Sequence, residues 1–345
     1  MKLYNAKLWE LWRKEDKSRV SMGNREKGGS FKRRFAALLC SAAFFLVSVA
    51  GCSIRETGEQ EEENSFRIVT SFYPMYIMTI NITNGIDSVQ VDNMAGQQTG
   101  CLHDYQLQSR DMQNLQKADA FVINGAGMES FMDKVFQQLP DLPVITASEG
   151  IPLLCAEEGH SHDEEEEHDH AEEEMNPHVW VSITNAAAEV RTIARGLAEA
   201  DPEHAQEYLE NAEIYRAKLF SLRDEMHRAL DGVSDKRIIT FHEAFPYFAE
   251  EFDLEIVKVI NREPDSQPSA KELADTIRLI QETDVKAVFA EPQYSESAAN
   301  IVAAESGANM YFLDPATTGE NDPDAYLRAM EQNLETLKLA LVQGG

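Results

Sequence analysis

The sequence predicts an α/β protein: two (β/α)-type lobes with mainly parallel sheets, joined by a long rigid helix, with a ligand site in the cleft between them. Two observations predict it. Short apolar strands alternate with helical runs in two separate stretches, the pattern of parallel βαβ units. Between those stretches the pattern is purely helical and carries one apolar stripe. Ligands of open α/β sheets bind at the carboxyl ends of strands, so two such halves imply a cleft.

The first alternation opens with a strand at Arg67–Phe72 and a helical run from Pro74. A strand near Ser88–Asn93, a helix at Ser109–Ala118 and a buried strand at Asp119–Asn124 follow. A helix at Glu129–Leu139 and a short strand at Pro143–Thr146 complete the N-terminal lobe, residues 66–183. Linking helices occupy 184–232. Asp201 before Pro202 marks a helix start, with proline at the first helical position. Leu209, Ala212, Tyr215, Leu219, Leu222, Met226 and Leu230 recur in steps of three and four. They predict a helix of about 30 residues, roughly 45 Å long, ending at Gly232. In the C-terminal lobe, 233–345, strands are expected at Lys236–Phe241, Leu254–Ile260, Val285–Ala290 and Asn309–Leu313. Helices are expected at Ser269–Glu282, Ser295–Ser306 and Asp322–Val342.

Residues 1–51 form an export signal. Lys32, Arg33 and Arg34 precede the uncharged run Phe35–Ala50, which ends in Val49-Ala50-Gly51-Cys52. A basic region, an apolar region and small residues before a cut are the parts of a secretory signal. The run is short for a membrane span of about 20 residues, which is the competing reading. Its last four residues resemble a bacterial lipobox, in which Cys52 becomes the lipidated first residue. Residues 52–65, rich in Glu, are a tether. Because the stretch before Lys32 is long for such a signal, Met22 is an alternative start.

The chain carries 31 Lys and Arg against 60 Asp and Glu. The first 51 residues hold 11 of the basic and 4 of the acidic ones, so the exported part is far more acidic than the whole. Such a surface disfavours nucleic acid and anionic substrates and attracts cations. After processing, Cys52, Cys101 and Cys155 remain. An oxidising compartment permits a Cys101–Cys155 disulfide.

Four of the nine histidines, His160, His162, His168 and His170, lie in one acidic tract, 157–174. A run this polar cannot pack into a core, and its imidazoles and carboxylates attract divalent metals. His204 and His227 sit among charged helix residues and are expected to be exposed. The other three occupy strand exits or loops: His103 in Gly100–Tyr105, His178 in Met175–Trp180, and His242 after the strand ending at Phe241. Asp314 follows the strand ending at Leu313 and precedes Pro315. Each alone is an ordinary hydrogen-bonded loop residue. Together they are candidate ligands.

The segments Gly100–Tyr105, Asn124–Glu129, Asn176–Trp180, Phe241–Phe248, Glu291–Ser295 and Leu313–Pro315 resemble a family. It is the zinc- and manganese-binding lipoproteins of bacterial metal ABC transporters, the cluster A-I substrate-binding proteins. The resemblance runs from about Phe66 to the C-terminus. It implies His103, His178, His242 and Asp314 as the ligands of one metal ion in the cleft. Histidine at the third position and an acidic His-rich loop mark the zinc branch; an oxygen-richer set suits manganese, the closest alternative. The resemblance further implies capture of Zn(II) for an ABC permease, a lipid anchor on the outer face of the cytoplasmic membrane, and a monomer with no enzymatic activity. The chain departs from the family at Cys101, where many members carry an acidic or other residue. A cysteine there is a possible metal ligand, which competes with the disulfide. Two other classes fit the sequence less well. A zinc hydrolase with Glu243 as base lacks a His-Glu-x-x-His run, and nothing in the sequence points specifically to a surface adhesin.

Overall fold

A computed structural model of the protein describes residues 65–97, 99–102, 105–156, 174–260, 268–293 and 296–342. The export signal, Cys52, His103 and the four histidines of the acidic tract lie outside these residues.

Each half is built on a four-stranded sheet whose strands all run parallel. In the first, β1 (Phe66–Thr70), β2 (Val89–Asn93), β3 (Ala120–Ile123) and β4 (Val144–Thr146) are ordered β2-β1-β3-β4. In the second, β5 (Arg237–Thr240), β6 (Glu255–Val259), β7 (Ala287–Ala290) and β8 (Asn309–Phe312) repeat that order as β6-β5-β7-β8. The central strands β3 and β7 are buried along their whole length. This is why they read as unbroken apolar runs rather than as alternation. In both sheets the order reverses beside the first strand, which opens a crevice at the carboxyl ends of β1 and β3 and of β5 and β7.

Helices α1 (Tyr73–Ile82), α2 (Ser109–Leu115) and α3 (Asp133–Gln138) belong to the first half. The run expected as one helix from Glu129 splits: Ser130–Met132 is a 3-10 turn that leads into α3. The carboxylate of Glu129 accepts from the backbone N–H of Asn124 and Gly125 and from Ser71 Oγ, so it serves the loop before it. Gly125 has φ +83°, and a Cβ there would meet Thr146 and Ser148, so only glycine fits this turn.

Between the halves run α4 (Ile183–Ala200), with Ser182 accepting from Asn185 N as its N-cap, and α5 (Ala205–Leu230). They pack side by side as a helical hairpin. α5 also contacts α1 on one side and, on the other, α6 (Pro246–Phe252) and α9 (Ala325–Leu337), so its apolar face is shared by both halves. The buried stripe begins at Tyr208, whose hydroxyl donates to Asp201 Oδ2 at 2.6 Å, and not at Leu209, which is 39% exposed. The C-terminal half is completed by α7 (Ala270–Thr283), with a Ser269–Glu272 capping box, and α8 (Ser297–Ser306). α9 ends in a π-helical turn at Lys338–Val342.

Direct hydrogen bonds tie the halves together. Trp180 Nε1 donates to Pro315 O at 2.7 Å, Tyr326 Oη to Trp180 O at 2.8 Å, and Tyr73 Oη to Glu320 O at 2.7 Å. Trp180 is fully buried and meets Phe72 edge-on at 5.0 Å, a packing worth about 0.5–1.5 kcal/mol beyond burial. Among the described residues, no helix is long and apolar enough to cross a membrane.

Candidate metal centre

His178 and His242 meet where the two halves face each other. His242 lies two residues past the end of β5, and His178 opens the 3-10 turn Val179–Val181. Their rings are perpendicular with centroids 4.8 Å apart, and both residues are buried. Cys101, partly buried in the loop after β2, brings its Sγ to 3.7 Å from His178 Nε2. One donor atom from each of Cys101, His178 and His242 lies within 4.8 Å of the others.

The hydrogen bonds behind these rings fix which nitrogen faces the group. Asn176 Nδ2 donates to Glu243 O at 2.9 Å, so its Oδ1 must be the acceptor. That oxygen accepts from the His178 backbone N–H at 2.9 Å and from His178 Nδ1 at 3.1 Å. The Nδ1 nitrogen therefore carries the proton and Nε2 the lone pair. Glu291, directly after β7, does the same for His242, with Oε1 2.8 Å from Nδ1. An imidazole whose rear N–H is held by an amide or carboxylate is the usual arrangement of a metal ligand.

Asp314 stands outside this group. Its Oδ1 accepts from Gln293 Nε2 at 2.7 Å and from Ala316 N at 2.9 Å, and burial raises its carboxyl above the usual range against those two bonds. The Cys101–Cys155 pairing does not form. Cys101 faces His178, whereas Cys155 is exposed and bridges antiparallel to Met175. That bridge closes the base of the acidic tract: Ala156 N donates to Glu174 O, and Asn176 N to Leu154 O. The chain is thus paired again from Glu174, four residues before His178. His204 is not exposed as expected; it is partly buried, with Nδ1 on Asp201 Oδ2 and Nε2 on Ser88 Oγ. His227 pairs with Asp231 on the surface.

Sequence reasoning gave no role to Asn176, Glu291, Asn124 or Glu189. Asn124 Nδ2 donates to Pro177 O at 2.9 Å, so the Glu129-anchored loop also braces the residue before His178. The signal for the first three was present, since all lie in the motif segments that hold or flank the candidate ligands. Glu189 gave none: it is a charged letter inside an amphipathic helix, yet it is fully buried.

Donors supplied by both halves and gathered at the carboxyl ends of two parallel sheets define a substrate-binding protein of the metal-capturing kind. The chain belongs to the ZnuA family, described as zinc-uptake complex component A, periplasmic, whose pattern matches residues 68–340. It is 33% identical over 319 residues to the high-affinity zinc uptake system protein ZnuA of Bacillus subtilis, covering 90% of this chain and 99% of that one. It is 30% identical to the zinc-binding lipoprotein AdcA of Streptococcus pneumoniae, covering 91% of this chain but 62% of that longer protein. The substrate-binding protein FpvC of Pseudomonas aeruginosa, solved with Mn2+, superposes with a TM-score of 0.70 at 28% identity, over 81% of this chain and all of that one.

Proposed function

We propose that the protein captures zinc(II) outside the cytoplasm and delivers it to an ABC permease. The observation that carries this reading is the pair of buried imidazoles, His178 and His242, each locked with Nε2 as the lone-pair nitrogen and each rooted in a different half. Two imidazoles as anchors suit zinc better than manganese, which takes oxygen-rich sets. His103 supplies a third nitrogen in the pattern the family implies. For the remaining position, Asp314 is the family's residue and Cys101 the one the geometry brings near. Four protein donors leave no open position for an activated water, so the reading is capture and not hydrolysis. Cys52 is the proposed lipid attachment point, holding a monomer at the outer face of the cytoplasmic membrane. The tract bearing His160, His162, His168 and His170 is proposed to gather zinc weakly beside the tight site.

Isothermal titration with zinc and with manganese tests the reading. One tight zinc equivalent, with manganese weaker, is expected. His178→Ala and His242→Ala should each abolish tight binding, and parental affinity in either variant would overturn the assignment.

A further inference from the structure

We infer that Cys101 is a ligand of the captured cation, its thiolate binding beside Nε2 of His178 and of His242. The assignment rests on the capture reading and deepens it by naming the residue that sets metal preference. Three observations carry it. First, zinc–sulfur and zinc–nitrogen bonds at a tetrahedral angle span an S···N edge of about 3.6 Å. Cys101 Sγ lies 3.7 Å from His178 Nε2, so little movement is needed for both atoms to reach one ion. Second, both imidazoles are buried and braced from behind, by Asn176 Oδ1 and Glu291 Oε1, which leaves Nε2 of each as the lone-pair nitrogen, and one donor atom of each lies within 4.8 Å of the sulfur. Third, Asp314 lies outside the group formed by Cys101, His178 and His242, with its Oδ1 accepting from Gln293 and from the backbone of Ala316.

As the sulfur–metal bond forms, the thiol proton leaves to solvent and the sulfur lone pair goes to the metal. A thiolate is a soft donor, so it favours zinc over manganese more strongly than a carboxylate in the same position. Cys101 is thereby the point at which this chain, already apart from its family in sequence, becomes more selective.

Cobalt(II) is the probe, because thiolate–cobalt charge transfer absorbs in the near ultraviolet and imidazole or carboxylate ligation does not. The full-length protein is loaded with one equivalent of cobalt(II) and compared with Cys101→Ser, Cys155→Ser and Asp314→Asn. The parent, Cys155→Ser and Asp314→Asn should show the band. Cys101→Ser should bind cobalt without it. Its zinc affinity should fall by more than the roughly 10–100-fold that loss of an outer partner costs, while its manganese affinity holds. A parent that binds cobalt with no such band, or a band that survives in Cys101→Ser, overturns the assignment and leaves capture standing. Failure of every form to bind cobalt or zinc overturns the capture reading and this assignment with it.

Discussion

His242 and Glu291 meet across the crevice between β5 and β7, Nδ1 to Oε1 at 2.8 Å, with both side chains buried. The carboxylate is placed as the orienting partner of the ligand proposed at His242. It fixes the tautomer, holds the ring plane and raises the basicity of Nε2. Glu291→Ala should therefore weaken zinc by about 10–100-fold, and Glu291→Gln by less, since its amide oxygen still accepts from Nδ1. Zinc titration of both variants checks this; equal losses would show that charge, not orientation, is what Glu291 supplies.

Asn176 performs the corresponding task for His178 and also binds the halves together. Its side chain donates to Glu243 O and accepts twice from His178, and its backbone carbonyl accepts from Tyr247 Oη at 2.8 Å. Asn176→Ala leaves the buried carbonyl of Glu243 and the His178 Nδ1–H without these partners. Each such loss costs about 1–3 kcal/mol. The expected result is a lower denaturation midpoint together with weaker zinc binding. A variant with lowered stability and parental zinc affinity would remove Asn176 from the site.

Much of this was legible in the sequence, for identifiable reasons. The strands were readable because central parallel strands are buried on both faces and leave continuous apolar runs. His242 and His178 were readable because polar residues at strand exits and beside motif turns stand out. Asp314 was placed correctly after β8, but its bond to Gln293 depends on a loop whose path no local pattern reports. The periodicity alone puts Leu209 first in the α5 stripe, whereas Tyr208 occupies that place. Both residues satisfy the helical period, and what decides between them is the hydroxyl bond from Tyr208 to Asp201, a contact seven residues away. The α6 helix was missed because seven residues are too few to display a period.

Glu189 on α4 is fully buried, and neither carboxylate oxygen has a hydrogen-bond partner among the described residues. Burial, and then the charge of Glu129, raise its carboxyl well above the ordinary 4.5. The folded protein thus keeps a proton that the unfolded chain releases. The stability this contributes is fully present below about 4.5 and is lost as pH rises through the folded value. Glu189→Gln carries no such proton. It should match the parent near pH 4 and exceed it at pH 8 by more than about 1.4 kcal/mol, the equivalent of a tenfold change in proton affinity. Denaturant melts across that range check the sign, and a pH-independent gap would mean that Glu189 does not hold its proton on folding.

The acidic tract and the buried donors are separable because the tract's stem is hydrogen-bonded independently of what lies beyond it. Cys155 and Met175 form an antiparallel bridge, Ala156 N donates to Glu174 O at 2.8 Å, and Asn176 N donates to Leu154 O at 2.8 Å. Tyr247 Oη reinforces the stem by accepting from Leu154 N at 3.0 Å while donating to Asn176 O. Replacing 157–173 with an Asn-Gly turn, which suits a two-residue antiparallel connection, keeps all of these bonds. His178 should then stay in place. The deletion is expected to remove weak zinc equivalents and leave the tight one within about twofold, a change of roughly 0.4 kcal/mol. Titration with zinc at equal protein concentration separates the two classes. Loss of the tight equivalent would mean that the tract's own imidazoles reach the buried donors, and that capture depends on both together.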